Sequence, residues 1–348
     1  AGIVVGWRTY GKGVAQILLD QASHPSYFAD GDALKVTAYR FYSPNGCTTN
    51  TVGVIPHLMV NPNLADDAAV LLSASEPDGT PRRLLRVDLV KQWYVDLDQA
   101  LSEEYRSAFS ALLEALPDSI RLWERGGSPD AWTPTSAEAL AETYGVAYTP
   151  RGFTDTANSP YADEIDILAT YFIVAGAGDG TYQPEAPLTR AQLCALLAQA
   201  LNCKVSEGES SFSDVASDAW YAPSVNALAD MGLVTGTGEN LFSPDDPVTH
   251  EQFITILGRL AGTLSTQFDS TLLDRPEDAL EDETLAPYAS WAREGVWLLD
   301  MSQKDLLGGT VSLLWEDLDG IDPTASTTRE EAACLLYNLL SYTGVLPV

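Results

Sequence analysis

Positive charge is scarce in this chain: Lys and Arg number 19 against 49 Asp and Glu, a formal net charge of −30 over 348 residues. Such an acidic surface repels the phosphate backbone that supplies most nucleic-acid affinity, which argues against DNA or RNA as a partner. Cysteine is also sparse. Cys47, Cys194, Cys203 and Cys334 form no C-x-x-C pair and have no His at ligand spacing, so neither a metal site nor a dense disulfide framework is expected. No apolar run reaches the roughly 18 residues a membrane helix needs, and Ala333–Leu340 is broken by Tyr337 and Asn338. The chain opens Ala1-Gly2-Ile3-Val4-Val5-Gly6, without Met, a basic segment or a signal-peptide core. A buried-strand pattern at residue 1 leads us to expect a fragment or processed product. What is present is a hydrophobic fraction of 45% with 20% charged residues. That composition belongs to folded protein, and the length allows two or three domains.

Residues 1–62 read as strands and turns: Ile3–Val5, then the alternating run Ala33–Tyr42, then Gly53–Pro56. Residues 63–135 read as an α/β extension of unassigned role, in which a short basic strand, Arg82–Val87, precedes a helix-like run Leu97–Leu116 with Leu101, Tyr105, Phe109, Leu112 and Leu116 on one face. The turn-rich text from Gly126 to Thr135, with residues 136–150 after it, reads as a linker.

From about residue 151 the sequence repeats. Counted from Thr189, Thr249 and Thr328, apolar residues recur at +4, +7, +8, +11 and +12 in every copy. Gln192, Gln252 or Glu331 stands three residues after each Thr, completing a capping box in which two otherwise orphaned backbone donors are satisfied. Each Thr is therefore expected to start a helix. Upstream come Pro184/Pro187, Pro244/Pro247 and Pro323, Gly-rich turns at Gly176–Gly180 and Gly236–Gly238, and a shorter amphipathic helix. Three helix–loop–helix units follow, at 151–203, 212–263 and, more divergent, 274–342. The first helix of the third is expected at Leu285–Leu299, and 300–323 reads as an insertion. Two-helix units expose apolar faces unless stacked, so a single all-α bundle is expected.

Phe153-Thr154-Asp155, Phe212-Ser213-Asp214-Val215, Trp220, Gly178-Asp179-Gly180-Thr181-Tyr182-Gln183-Pro184 and Leu188-Thr189-Arg190-Ala191-Gln192 resemble the S-layer homology module. This bacterial cell-surface domain usually occurs in threes and holds proteins to secondary cell-wall polysaccharide. The resemblance implies an extracellular, wall-associated location and an anionic, including pyruvylated, polysaccharide partner. It maps the family's sugar-contacting Arg onto Arg190 and Arg329; the second copy reads Thr249-His250-Glu251-Gln252, a departure at that site. Local physics agrees. A cation at the first helical position is disfavoured by about 0.3–1 kcal/mol, whereas a bound carboxylate would find helix N–H groups and a guanidinium fork together. The alternative is that both Arg pair with neighbouring acids. Asp155, Asp214 and Trp220 are candidates for the sugar's hydroxyls and apolar face, although Trp220 is equally readable as core.

The opening Ile3-Val4-Val5-Gly6-Trp7-Arg8-Thr9-Tyr10-Gly11-Lys12-Gly13-Val14-Ala15-Gln16, with Asp30–Thr37, Arg40–Gly46 and Gly53–Pro56, resembles the carboxyl-terminal processing peptidases, family S41, which use a Ser–Lys dyad. By that resemblance the region is a β-rich α/β fragment of a peptidase domain, Lys12 is the general base and Gln16 its orienting partner. A lysine base must be buried to lower its pKa, and Gly11 and Gly13 would let the backbone close around it. A P-loop fails because Gly13 stands where a magnesium-ligating hydroxyl is needed, and no cofactor is expected. In the family the nucleophile precedes the lysine by roughly two dozen residues, so it falls outside this chain; Ser23, Ser26 and Ser43 follow the motif instead. The expectation is the carboxyl-terminal part of a surface-anchored S41-type serine endopeptidase acting on peptide or protein, inactive as it stands. The alternative is a non-catalytic surface-layer or wall-binding protein carrying a peptidase relic.

Overall fold

The computed structural model describes residues 2–44, 46–77, 83–126, 131–204, 208–305, 311–315 and 317–347. Ala1, Asn45, Arg82, the turn Gly127–Pro129 and part of the expected insertion lie outside them. Strand β1 (Val5–Gly6) opens the chain, followed by β2 (Val14–Asp20), β3 (Ala33–Arg40) and β4 (Leu58–Met59). The strand β1 pairs parallel with β4, and β2 pairs antiparallel with β3 as a hairpin. The strand expected at Gly53–Pro56 is a loop, and pairing begins instead at Leu58. Gly53 has a φ of 77°, and a Cβ there would lie 2.2 Å from the Thr9 carbonyl oxygen, so the chain crosses its neighbour too closely to run alongside it.

Helix α1 (Ala65–Val70) leads into strands β5 (Leu84–Leu89) and β6 (Lys91–Asp96). The single helix expected over Leu97–Leu116 is two, α2 (Leu97–Ala100) and α3 (Arg106–Glu114). Tight i−3 bonding of Ser102 N–H to the Gln99 carbonyl ends the first. Strands β7 (Arg121–Arg125) and β8 (Trp132–Thr135) then complete an antiparallel sheet of order β6-β5-β7-β8. The segment expected as a linker is thus an edge strand followed by helix α4 (Ala137–Tyr144), which buries Leu140 and Ala141. Pro134 is admissible because β8 needs backbone donors on one side only.

The repeats contribute α5 (Ala162–Thr170) and α6 (Arg190–Ala200), then α7 (Ala222–Asp230) and α8 (His250–Leu264), then α9 (Thr266–Leu273), α10 (Arg293–Asp305) and α11 (Arg329–Tyr342). The first helix of the third unit starts at Arg293 rather than Leu285. Ala289 N–H donates to the Glu251 carboxylate, while Tyr288 and Ala292 N–H make i−3 turns, so regular helix is postponed. The residues expected as an insertion consequently begin inside α10.

Two apolar cores result. One joins β5–β7 to α1–α4; the other runs through all three repeats. The segment 52–60 feeds both, sending Leu58 and Val60 into the first and Val52, Ile55 and Met59 into the second. Arg151 donates to the Met59 and Thr170 carbonyls at 2.9 and 3.0 Å, and Tyr171 Oη to the His57 carbonyl at 3.0 Å. The amino-terminal segment is therefore part of the repeat body's packing. Among the described residues no helix is long and apolar enough to cross a membrane.

Candidate functional site

The three capping threonines converge. Leu188, Val248 and Thr327, each one residue before its Thr, form a closed ring of backbone bonds: Leu188 N–H to Thr327 O at 2.9 Å, Thr327 N–H to Val248 O at 2.8 Å, and Val248 N–H to Leu188 O at 2.9 Å. All three capping boxes form. The first two helical N–H groups of α6 donate to the Asp246 and Pro244 carbonyls, those of α8 to Ala325 and Pro323, and those of α11 to Ala186 and Pro184. The open amides expected at these helix starts are thus occupied, each by the loop of the next unit around the ring. A ligand there would have to be met by side chains.

Arg190 and Arg329 explain how a cation is tolerated at such a position. The Arg190 Nε and Nη2 donate to the Phe242 and Thr235 carbonyls at 2.7 and 2.8 Å, with the guanidinium 4.5 Å from the Phe242 ring centroid. Arg329 repeats this on the Tyr182 and Ala175 carbonyls, also at 2.7 and 2.8 Å, and 4.4 Å from the Tyr182 ring. Hydrogen bonds from a charged donor contribute about 1.5–3 kcal/mol each, more than the dipole penalty of about 0.3–1 kcal/mol. Neither Arg pairs with a carboxylate among the described residues; each fastens the next unit's Gly/Pro loop. Burial, with only 6% of Arg190 exposed, pushes its pKa below the ordinary value.

Two equivalent grooves open beside these guanidinium groups, each about 350 Å³. The first brings Arg190 together with Gln252, Thr255 and Arg259 of α8 and with Trp291. The second brings Arg329 together with Gln192 and Gln199 of α6 and with Trp220. Each is built from one unit's Arg, the next unit's loop and helix, and the following unit's Trp. Trp220 and Trp291 are 66% and 52% exposed, so Trp220 is a groove wall and not core. Sequence reasoning missed Trp291, whose signal was a Val five residues on: Val296, as Val225 follows Trp220. It also missed Arg259, ten residues after its capping Thr, where the second groove has Gln199.

The third position is built differently. His250 stands where the Arg would be, with Nδ1 2.9 Å from the Asp322 carbonyl oxygen and Nε2 3.5 Å from Glu331. Its ring lies 4.6 Å from that of Trp315, whose indole N–H donates to the Glu331 carbonyl at 3.0 Å. Burial lowers the His250 pKa, but Glu331 and the Asp322 carbonyl outweigh it and the net shift is upward. Pro160, five residues before Ile165, occupies the aligned Trp position.

Asp155 and Asp214 have other employment than the expected hydroxyl contacts. Asp155 accepts the Tyr182 and Gln183 N–H groups at 2.7 and 2.8 Å, and Asp214 those of Phe242 and Ser243 at 2.8 and 2.7 Å. Both oxygens of each carboxylate thereby hold the loop that its neighbouring Arg also grips. Desolvation pushes both carboxyls up, but the backbone donors prevail and hold them below their ordinary range.

Lys12 and Gln16 do not assemble as a general base and its partner. Lys12 is exposed, and Gln16 Nε2 donates to Thr37 Oγ1 at 3.3 Å. The flanking glycines serve a different contact: a Cβ on Gly11 or Gly13 would lie 2.4 Å from the Thr51 carbonyl oxygen or 2.6 Å from Asn50. They seat the strand on the 50–53 loop and leave the amine in solvent. Ser23 Oγ is bonded to Asp20, and Ser43 Oγ to the Cys47 carbonyl.

Comparison with known families matches the S-layer homology domain at residues 152–194 and 211–254. The chain is 30% identical over 226 residues to an amylopullulanase of Thermoanaerobacterium thermosulfurigenes, covering 64% of this chain and 11% of the relative. It is 28% identical over 205 residues to an S-layer protein of Bacillus thuringiensis subsp. finitimus, covering 58% and 23%. It is 25% identical over 158 residues to a surface layer protein of Brevibacillus choshinensis, covering 42% and 14%. The chain thus spans between a tenth and a quarter of the length of these relatives. They are surface-layer proteins and a glycosidase, and they give the peptidase resemblance no support. The chain carries S-layer homology domains and belongs to a cell-surface, cell-wall-associated protein.

Proposed function

We propose that these modules anchor the protein by seating acidic sugars of a secondary cell-wall polysaccharide, pyruvylated units included, in the two Arg/Trp grooves. The observation that carries this reading is the repeated pairing of a loop-fastened guanidinium with an exposed Trp, Arg190 with Trp291 and Arg329 with Trp220. The fixed Arg supplies a charge-assisted contact to a carboxylate, and the Trp face supplies an apolar wall for the pyranose ring. Arg259 makes the first groove doubly cationic; its Nη1 donates to the Leu233 carbonyl at 3.2 Å. The first groove therefore suits the more highly charged sugar. Asp155 and Asp214 act as loop clamps. The test is sedimentation with bacterial sacculi: the chain should pellet with sacculi that retain their anionic polysaccharide and stay in solution with stripped ones, and equal pelleting would contradict it. Because the chain and polymer are both acidic, screening over about 10 Å at 0.1 M salt should strengthen binding as salt rises from low values.

The finer reading, a serine endopeptidase of the S41 type carried on this anchor, rests on sequence resemblance in residues 3–56. The exposed Lys12 favours the non-catalytic alternative for this chain, a wall-binding protein with a relic segment. Unlabelled and fluorogenic peptide mixtures should remain intact with it, and hydrolysis abolished by Lys12→Ala would restore the enzymatic reading.

A further inference from the structure

A cavity of about 590 Å³ lies outside the grooves, at the seam between the amino-terminal segment and the first two repeats. Lys12 and Lys204 line it with Tyr10, Asn50, Asn202 and Met231. In a chain with so few cations, two ammonium groups line one cavity. Asp230 is the single carboxylate among the described lining residues. The Lys204 ammonium bonds the Tyr10 phenol and lies 4.2 Å from its ring centroid. Lys204 and then Lys12 lower the Tyr10 pKa, a sign of local positive potential against the acidic whole. Asn50 accepts the Gly13 N–H through Oδ1 at 3.2 Å, which leaves its amide nitrogen as a further donor.

The position of this cavity gives it a polymeric ligand. The second groove uses Gln192, Gln199 and Ser224, and the seam uses Asn202, Ala227 and Met231, so the two open along the same α6–α7 pair. At 1.5 Å per helical residue, Gln192 and Asn202 are separated by about 15 Å, a span of a few sugar rings. We propose that the seam is a second anion subsite, where Lys12 and Lys204 take a carboxylate- or phosphate-bearing sugar further along the polysaccharide held at Arg329 and Trp220. This rests on the groove reading for the identity of the polymer, and it gives the amino-terminal segment a part in binding.

The experiment uses the full chain and polysaccharide released from sacculi, separated into short fragments of one or two sugars and long fragments of eight or more. Lys12→Gln/Lys204→Gln should bind short fragments as the parent does and long ones about five- to twentyfold more weakly, since exposed ion pairs contribute modestly. Trp220→Ala/Trp291→Ala should weaken short and long fragments together. Unchanged affinity of the lysine variant for long fragments, beside a parent that prefers them, overturns the seam and leaves the grooves standing. Unchanged affinity of the tryptophan variant with a loss in the lysine variant overturns the groove reading instead. Failure of the parent to bind any fragment overturns both. Polysaccharide whose phosphate has been removed enzymatically, compared with polysaccharide whose carboxylates have been amidated, identifies the charge that the lysines read.

Discussion

Arg190→Met tests the guanidinium's loop-fastening duty without any ligand present. The substitution keeps an unbranched side chain of similar reach but removes the donors to the Phe242 and Thr235 carbonyls, of which the first bond is buried and the second partly so. Two charge-assisted bonds contribute about 3–6 kcal/mol at face value. Loss of the stacking on Phe242 adds about 0.5–1 kcal/mol. Relief of the dipole penalty returns about 0.3–1 kcal/mol, and solvent reaching the Thr235 carbonyl returns more. A net destabilisation of about 3 kcal/mol follows, which for a body of this size lowers the melting temperature by about 6–12 °C. The assay is thermal unfolding followed by near-ultraviolet dichroism of the repeat tryptophans. Arg329→Met, whose outer bond to Ala175 is exposed, should lose less. A melt for Arg190→Met within about 2 °C of the parent would refute the claim that this residue holds the second unit's loop.

Trp220→Ala and Trp291→Ala should each leave the melt within about 1 °C while weakening polysaccharide binding about tenfold, because both rings are largely exposed and an aromatic wall contributes about 1.4 kcal/mol. The clamps predict an acid limit. Since the folded pKa values of Asp155 and Asp214 lie below the ordinary 3.8, their contribution is present above that value and disappears as pH falls through the folded ones. Asp214→Asn should therefore flatten the acid side of the stability profile measured by urea unfolding. His250 has the opposite sign: its folded pKa is raised above 6.5, so its contribution is complete below that pH and fades as pH rises through the folded value. His250→Gln should remove that decline as pH rises above 6.5. Arg259→Gln should reduce the affinity of the first groove for a doubly charged sugar about tenfold and leave a singly charged one nearly unchanged, measured by calorimetry with the second groove disabled by Trp220→Ala.

The parts of the repeat visible in sequence are those governed by near neighbours. Capping boxes need a Thr and a Gln or Glu three residues apart, and all three formed where Thr189, Thr249 and Thr328 placed them. The grooves were less visible because their walls come from different units: Arg329 grips a carbonyl at Ala175, 154 positions away. For the same reason the occupation of the helix N–H groups by the next unit's loop escaped notice. Pairing Trp291 with Arg190 was hidden by the irregular third unit, where Glu251 diverts the Ala289 N–H and delays the helix. Residues 126–150 read as linker because Pro134 and Gly126 are turn formers, yet an edge strand tolerates proline and Leu140 has a core to enter. Gly11 and Gly13 were expected to let the backbone bury the Lys12 amine, but the close approach they allow is to the 50–53 loop, a contact that spacing within the motif could not disclose.

The most direct measurement is the equilibrium affinity of the released wall polysaccharide for the Trp220→Ala/Trp291→Ala chain relative to the parent, under conditions where both give the same melting curve. A fall of about a hundredfold, the product of two tenfold losses when one polymer chain occupies both grooves at once, is expected. Affinities equal within twofold would contradict the assignment of the two grooves as the wall-binding sites.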